Sequence, residues 1–318
     1  MSLYRSVRAV AGASGEGVVD WDAVTEAAKA STEPGSLDLT PGEQEGYASD
    51  VRDARERVRA VSGVDFDLPR SVEIQNRHHW IDANVGTFRR VMAPLEDRTG
   101  LFPGVSRVVN TGTMSFSLGF LARHVMGQYD PLLLADAEEH GLYFVHPNIV
   151  RAADVLDVDY ERFRRWIAFH EVTHAAEFGA APWLSTHLET QMQHGIDELA
   201  DGRFDRRAFT ELNAAMTVVE GYAELLMDHA FDDEYADLRR KLDDRRKGGG
   251  PVNRLVRRLL GLGLKRRQYE RGKAFFETVA EERGLDGAGV VWEEPSNLPS
   301  KSELEDPATW LRRVDPGR

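Results

Sequence analysis

The sequence predicts a mainly α-helical protein with a small β-sheet, an α+β arrangement. Two observations favour this fold class. Apolar residues recur every three or four positions along most of the chain, as they do on one face of an α-helix. One short run, Leu142–Ile149 (LYFVHPNI), has the apolar and aromatic content of a β-strand. Proline, glycine and charged residues separate these segments.

The chain has 318 residues, of which 42% are hydrophobic and 9% are aromatic. That composition is enough for a large globular core. We expect a single domain over residues 1–318. Within it, residues 1–70 form an N-terminal helical extension, residues 71–240 form the core that carries the motif below, and residues 252–318 form a C-terminal helical lobe and tail. The last part of that tail, Pro295–Val314, is predicted to lie along the surface.

Cysteine content and charge exclude several kinds of function. The chain has no cysteine, so a metal site would have to use His, Asp, Glu or water. Asp and Glu (53) outnumber Lys and Arg (40), and the net charge of −13 disfavours nucleic acid as a partner. No segment has eighteen uninterrupted apolar residues, so we expect no membrane span and a cytoplasmic protein. Nothing in the pattern indicates the oligomeric state.

The pattern of the N-terminal part of the chain predicts helices. Residues 18–62 predict two helices joined by a loop at Ser31–Pro41, and Thr40 followed by Pro41 is typical of a helix start. A third helix is expected over Glu73–Met92 and a fourth, apolar helix over Met114–Gln128.

The most informative stretch is Trp166–Phe178 (WIAFHEVTHAAEF), which contains His170, Glu171 and His174 in the pattern H-E-x-x-H. Residues four apart lie on one face of a helix, about 6 Å apart along its axis. Two imidazoles at that spacing can bind one zinc ion. Glu171 lies beside them, where it can take a proton from water at the metal.

The surrounding residues support a helix with an inward-facing histidine pair. Asp157 or Asp159 can serve as the N-cap, and Phe163 and Ile167 precede the histidines on the same apolar stripe. Gly179 is expected to end the helix. Two buried imidazoles without partners would be costly, and a metal removes that cost. A pair of hydrogen-bonded core histidines is the alternative.

A catalytic zinc ion needs a third protein ligand and an open position. The extended pattern H-E-x-x-H-x-x-G-x-x-H is excluded, because Glu177 and Ala180 occupy its last two defined positions. A later glutamate must then serve. Glu220 lies in the apolar stripe of a predicted helix over about Asp205–Phe231, whereas its rivals Glu189 and Glu198 lie in a less periodic segment.

Glu224 follows Glu220 by one turn on the same helix face. We expect its carboxylate to accept the free N–H of a ligand histidine, a contact that orients the imidazole and raises its basicity. Asp228 extends the acidic row by another turn.

The predicted strand at Leu142–Ile149 comes shortly before the H-E-x-x-H helix. In zinc peptidases generally, an edge strand above that helix pairs with the extended substrate. Val145, His146 and Asn148 are therefore candidate substrate-binding residues.

Together these segments resemble a known family. FHEVTHAAEF followed by VVEGYAELLMD resembles the glutamate-zincin branch of the zincin superfamily. GQYDPLL, LYFVHPNI, RQYERGKAFF and DPATWLRRV extend the resemblance, from about residue 70 onward, to the zincin-like metallopeptidase type 2 family. The resemblance implies a zincin-like metalloprotease fold with extra N-terminal helices. It also implies the family's association with deazaflavin coenzyme biosynthesis.

The sequence thus predicts a Zn²⁺-dependent hydrolase, first of all a metallopeptidase that acts on a peptide. His170, His174 and Glu220 are the expected ligands and Glu171 the catalytic base. A donor for the oxyanion is expected among Tyr269, Tyr222, His229 and His194, with Tyr269 ranked first. Two alternatives stay open: a hydrolase of a small amide, favoured by the basic run Lys265–Arg267, and a binding protein with a structural zinc.

Overall fold

The computed structural model describes residues 2–14, 17–69, 72–96, 103–130, 141–200, 206–231, 235–247 and 266–314. It is mainly helical, with one small sheet, as the sequence predicts. The helices up to the H-E-x-x-H segment are α1 (Ser2–Ala11), α2 (Trp21–Ala30), α3 (Pro41–Ser62), α4 (Arg77–Glu96), α5 (Pro103–Ala122), α6 (His146–Leu156) and α7 (Tyr160–Ala180). The later ones are α8 (Leu184–Ala200), α9 (Arg206–Ala230), α10 (Ala236–Lys247), α11 (Arg266–Gly289), α12 (Lys301–Glu305) and α13 (Pro307–Val314). The division into an extension, a core and a lobe stays a prediction.

The start of α3 follows its predicted chemistry. The Thr40 hydroxyl accepts the backbone N–H of Glu43, the Glu43 carboxylate accepts that of Thr40, and Pro41 occupies the first turn. Both groups would otherwise be unsatisfied at a helix N-terminus. At the other end, Gly63 adopts the left-handed conformation (φ 67°) that closes a helix.

The sheet has three described strands, β1 (Val72–Gln75), β2 (Gly127–Asp130) and β3 (Gly141–Val145), in the order β1-β3-β2. β3 pairs parallel with β1 and antiparallel with β2. Two of these strands lie where helix was predicted. β1 overlaps the start of the expected third helix, β2 begins at the last two residues of the expected fourth, and each strand is only four residues long.

β3 is the central strand, and this corrects the expectation of an edge strand at Leu142–Ile149. The strand also ends earlier than predicted, because His146 opens α6 and Pro147 occupies its first turn. Proline fits there, since its missing N–H would have no partner at a helix start.

Helix α7 carries the H-E-x-x-H motif. Its N-cap is Asp159, whose carboxylate accepts the N–H of Arg162. Asp157, the other candidate, instead ends α6 in the left-handed conformation (φ 53°). Arg164 anchors the first half of α7 through a buried ion pair, Nε to Asp50 Oδ2 of α3 at 2.7 Å.

Helix α9 crosses α11 at two glycines. A Cβ atom on Gly221 would overlap the backbone of Gly272, and one on Gly272 would overlap the carbonyl oxygen of Thr217. The two backbones therefore touch directly beside Glu220. The main core extends from Tyr47 in α3 to Leu311 in α13.

The C-terminal segment Pro295–Val314 does not lie only along the surface, as predicted. Trp310 is fully buried, its ring 5.3 Å from that of Phe275, and its Nε1 donates to the carbonyl of Asn297. Among the described helices, none combines the length and apolarity that a bilayer crossing requires.

A candidate metal centre between α7 and α9

His170 and His174 lie one turn apart on α7, and Glu220 approaches them from α9. The distance from His170 Nε2 to His174 Nε2 is 3.3 Å, and that from His170 Nε2 to Glu220 Oε2 is 3.9 Å. All three ligand atoms lie within 4.8 Å of one another. In the part of the chain that the structure describes, no other group of three His, Asp or Glu residues meets that condition.

These distances fit a small tetrahedral cation. Zinc binds imidazole nitrogen and carboxylate oxygen at about 2.0–2.2 Å, so the edges of its coordination tetrahedron are about 3.3–3.6 Å long. The imidazole pair already matches such an edge, and the 3.9 Å from His170 Nε2 to Glu220 Oε2 is slightly longer than one. Three protein ligands also leave a fourth position open, as catalytic zinc sites do.

Both imidazoles are oriented by neighbours on their own helix. His174 Nδ1 lies 2.8 Å from Oε2 of Glu177, whose side chain is completely buried. The ring of His170 stacks on that of Trp166, with centroids 5.8 Å apart and planes within 6°. The role of Glu177 was not predicted from the sequence, although its spacing of three residues from His174 places the two side chains on one helix face.

Burial and charge shift the pKa of each group in this cluster. Burial, the largest effect, raises the pKa of Glu171 and of Glu177 to about 7 in each case. For His174 burial, the largest single effect, lowers the pKa. The nearby carboxylates of Glu177, Glu220 and Glu171 together outweigh it and raise the pKa of His174 to about 10. The cluster therefore holds protons tightly, and a cation would replace them.

Glu171 points to the sheet and not to solvent. Its Oε2 accepts the backbone N–H of Tyr129 in β2 at 2.9 Å, and only 7% of the residue is exposed. Packing of β2 along α7 thus fixes the carboxylate next to the histidine pair.

Glu224 lies beside Arg239 of α10, with Oε2 3.7 Å from Nη2. At His174 the carboxylate that contacts the ring is that of Glu177. The predicted contact between Glu224 and a ligand histidine stays a prediction. Asp228 forms an ion pair with the same arginine and lies 3.1 Å from Lys273 Nζ of α11.

The four candidate donors to the oxyanion lie in different surroundings. Tyr222 is buried between the rings of Phe276 and Trp292, and burial raises its pKa further. His229 Nδ1 lies 2.9 Å from the carbonyl oxygen of Leu225, one turn earlier in α9. His194 lies on α8. The backbone of Tyr269 belongs to α11, but its side chain lies outside the described part, as do Lys265 and the side chains of Arg266 and Arg267.

The three candidate substrate-binding residues face the interior. Val145 and Asn148 have no exposed surface, and Asn148 is hydrogen-bonded to Arg77 and to the carbonyls of Ala122 and Val125. His146 Nδ1 lies 3.1 Å from the hydroxyl of Tyr47 and 3.2 Å from that of Tyr160. Because β3 is not an edge strand, the reason for choosing these residues was wrong. Their contact with a substrate remains only a prediction.

A cavity of about 530 Å³ adjoins the Glu171 side of α7. Tyr129 and Phe178 form part of its wall, with ring centroids 5.8 Å apart, and Ala175 lies one turn beyond Glu171. Its volume is within the range of small-ligand sites.

Comparison with known proteins agrees with this geometry. The fold and the two histidines with a later glutamate define a zincin-like metal-site protein. A model of the zincin-like metallopeptidase family matches residues 19–204 and 192–311, so the chain belongs to that family. It is also similar to a crystal structure from Chloroflexus aurantiacus, described as a putative hydrolase with a novel fold. The two share 29% identity over 98% of each chain, with a TM-score of 0.72. No curated protein matches the chain.

Proposed function

We propose that this protein is a zinc-dependent hydrolase that cleaves amide bonds, in the first place peptide bonds. One observation carries the proposal: two imidazoles and the Glu220 carboxylate converge within 4.8 Å, and the buried carboxyl of Glu171 lies next to them on the same helix. Family membership supports it, as does the similarity to the Chloroflexus aurantiacus protein.

His170, His174 and Glu220 would hold the metal. Zinc bound there would lower the pKa of a water ligand toward about 7 and polarise the carbonyl of the substrate. Glu177 keeps Nδ1 of His174 engaged, so Nε2 is the nitrogen that remains for the cation. A site with three protein ligands and a carboxylate beside them has the parts of a catalytic centre, whereas a purely structural site has no use for Glu171.

Glu171 is the proton carrier in this proposal. It takes a proton from the attacking water as the C–O bond forms, and gives that proton to the leaving nitrogen as the C–N bond breaks. Burial raises the pKa of this carboxyl to about 7 in the metal-free site, and a zinc ion beside it would favour the carboxylate form that accepts a proton. Because Oε2 of Glu171 accepts the N–H of Tyr129, we assign the proton transfer to Oε1.

A further donor should stabilise the oxyanion, and Tyr269 stays the proposed one. The crossing at Gly221 and Gly272 supports it. Tyr269 lies one turn before Gly272 on α11, so its backbone is close to the segment of α9 that presents Glu220. The ring of Tyr222, in contrast, is fully buried and packs against those of Phe276 and Trp292.

The test is the change Glu171→Gln, which keeps the size of the side chain but removes the base. Zinc content and melting temperature should stay near those of the unchanged protein, while turnover falls by about 10²–10⁴-fold. The assay compares a mixture of peptides and a set of small amides, with the exposed Glu282→Gln as the matched control. Equal cleavage by the Glu171→Gln and unchanged proteins would sink the proposal.

A small-molecule amide is the second candidate substrate, and the position of β2 favours it. β2 lies at the edge of the described sheet, yet its Tyr129 N–H is already bound to Glu171. An extended peptide cannot pair with that N–H unless Glu171 releases it. Cleavage of blocked single amino-acid amides without cleavage of longer peptides would select this candidate.

The third reading, a binding protein with a structural zinc, predicts firm zinc binding and no Glu171-dependent turnover. The association with deazaflavin coenzyme biosynthesis, the assignment to the glutamate-zincin branch and the cytoplasmic location remain predictions from the sequence.

A further inference from the structure

The outer edge of β2 contacts Glu171 at two points. Tyr129 donates its N–H to Oε2, and Gly127, two residues earlier on the same edge, lies against the rest of the side chain. A Cβ atom on Gly127 would lie 2.5 Å from Cγ of Glu171 and 2.6 Å from its Oε1. Such distances are far inside van der Waals contact, so only glycine leaves room for the carboxyl.

The backbone conformation does not explain this glycine. The glycines with positive φ in the described part of the chain are Gly35, Gly63 and Gly284. Gly127 is an ordinary strand residue opposite Phe144 in β3. A glycine within a strand usually weakens it, because it loses more conformational entropy and contributes no side-chain packing. The close approach of the Glu171 side chain explains why position 127 is a glycine.

We propose that Gly127 and the N–H of Tyr129 form a seat for Glu171, in which Gly127 is a positioning residue for the catalytic base. This inference rests on the proposed function. The N–H fixes one carboxylate oxygen, and the missing Cβ lets the side chain lie flat against the strand. The seat removes the rotational freedom that a glutamate with three rotatable bonds would otherwise have to lose during each turnover.

The seat also limits how a substrate binds. An exposed sheet edge can bind an extended peptide by pairing with it as a further strand. Here Gly127 and Tyr129 of that edge hold the base, so the substrate class is one that does not require strand pairing at Tyr129. A blocked amide or a short peptide satisfies this condition.

A stability cycle tests the seat without a known substrate. Gly127→Ala in the unchanged metal-free protein should lower the melting temperature by at least about 2 °C, because the new Cβ displaces a buried carboxyl. In a Glu171→Ala background the same change should have little effect or raise the melting temperature, since the space is then free. Equal shifts in both backgrounds would overturn the proposal. Gly86→Ala, whose Cβ would meet only Arg90 at 3.7 Å, is the control for a general glycine effect.

Turnover of the zinc-loaded protein gives a second readout. Gly127→Ala should lower kcat by at least about tenfold at nearly unchanged KM and zinc affinity, because only the base moves. Glu171→Asp, which is shorter by one methylene, should reduce the cost of Gly127→Ala. An unchanged kcat, or a loss explained by lost zinc, would contradict the positioning role. The stability cycle remains decisive if Glu171→Gln shows that the hydrolase proposal itself is wrong.

Discussion

Each imidazole of the metal centre is supported by a residue on its own helix. Glu177 contacts His174 at 2.8 Å, and the Trp166 ring lies flat against His170. Both supports are within four residues of the histidine that they touch, so they form together with the helix. The third ligand and the contact to Glu171 depend on other elements.

Glu177→Gln should weaken zinc binding by about 10–100-fold. The amide keeps the volume, but it does not stabilise the positive charge that develops on the His174 ring when the metal binds. Competition with a chromophoric chelator measures the affinity, and Glu282→Gln on an exposed helix face is the control. An unchanged zinc affinity would show that the 2.8 Å contact is not functional.

Glu220→Ala should abolish stoichiometric zinc binding, because two imidazoles alone hold zinc poorly. Glu224→Ala should retain zinc and melt at a lower temperature, since Arg239 loses a nearby carboxylate. Metal analysis and thermal unfolding of both variants check this. Loss of zinc in Glu198→Ala, but not in Glu220→Ala, would mean that the third ligand comes from α8.

The helices were predictable because their signals are local. The Thr40–Pro41–Glu43 start and the apolar stripe of α9 each need only a few neighbouring residues, and both helices form where expected. β1 and β2 were missed because four residues are too few to show a period of two. For β1 there is a second reason, since its partner β3 lies far along the chain, with Val72 opposite Leu142.

The crossing of α9 and α11 positions Glu220. Gly221→Ala should destabilise the protein by about 1–3 kcal/mol, because the new Cβ meets backbone that cannot rotate away. Zinc affinity should also fall, since the adjacent Glu220 moves with its helix. Chemical unfolding and chelator competition measure the two effects, and Gly42→Ala, which has space around it, is the control.

At the scale of the described molecule, the larger of two hydrophobic clusters joins α3 to α13 and includes buried residues of α7 and α9, the helices of the metal centre. The combination of two buried carboxyls with a histidine among carboxylates explains why the site binds protons so tightly. It also predicts a pH dependence, because Glu171, Glu177 and His174 all bind protons more strongly in the folded chain than in the unfolded one.

The metal-free protein should therefore lose stability as the pH rises. The pKa of each of the two carboxyls is raised from 4.5 to about 7, so their contribution is lost between about pH 4.5 and 7. The pKa of His174 is raised from 6.5 to about 10, so its contribution is lost between about pH 6.5 and 10.

Zinc affinity should show the opposite dependence, because zinc must displace the proton of His174. If each zinc ion displaces one proton, the zinc affinity should rise by up to about tenfold for each pH unit, as far as about pH 10. The difference in melting temperature between zinc-loaded and chelator-treated protein should accordingly grow with pH. His174→Ala should show no such difference at any pH, and a gap that shrinks with pH would contradict the prediction.

The sequence by itself determined the helical class, the histidine pair and the neighbouring base, because a spacing of four places residues on one helix face whatever the rest of the chain does. It also favoured Glu220, since a carboxylate in an apolar stripe is costly without a partner. Tertiary structure decided that Glu220 reaches His170 to within 3.9 Å, that β3 is central, and that β2 holds Glu171. The contacts of Glu220 with His170 and of Tyr129 with Glu171 each join residues more than 40 positions apart in the chain. All three features depend on how whole helices and strands pack together. No local pattern of side chains encodes them.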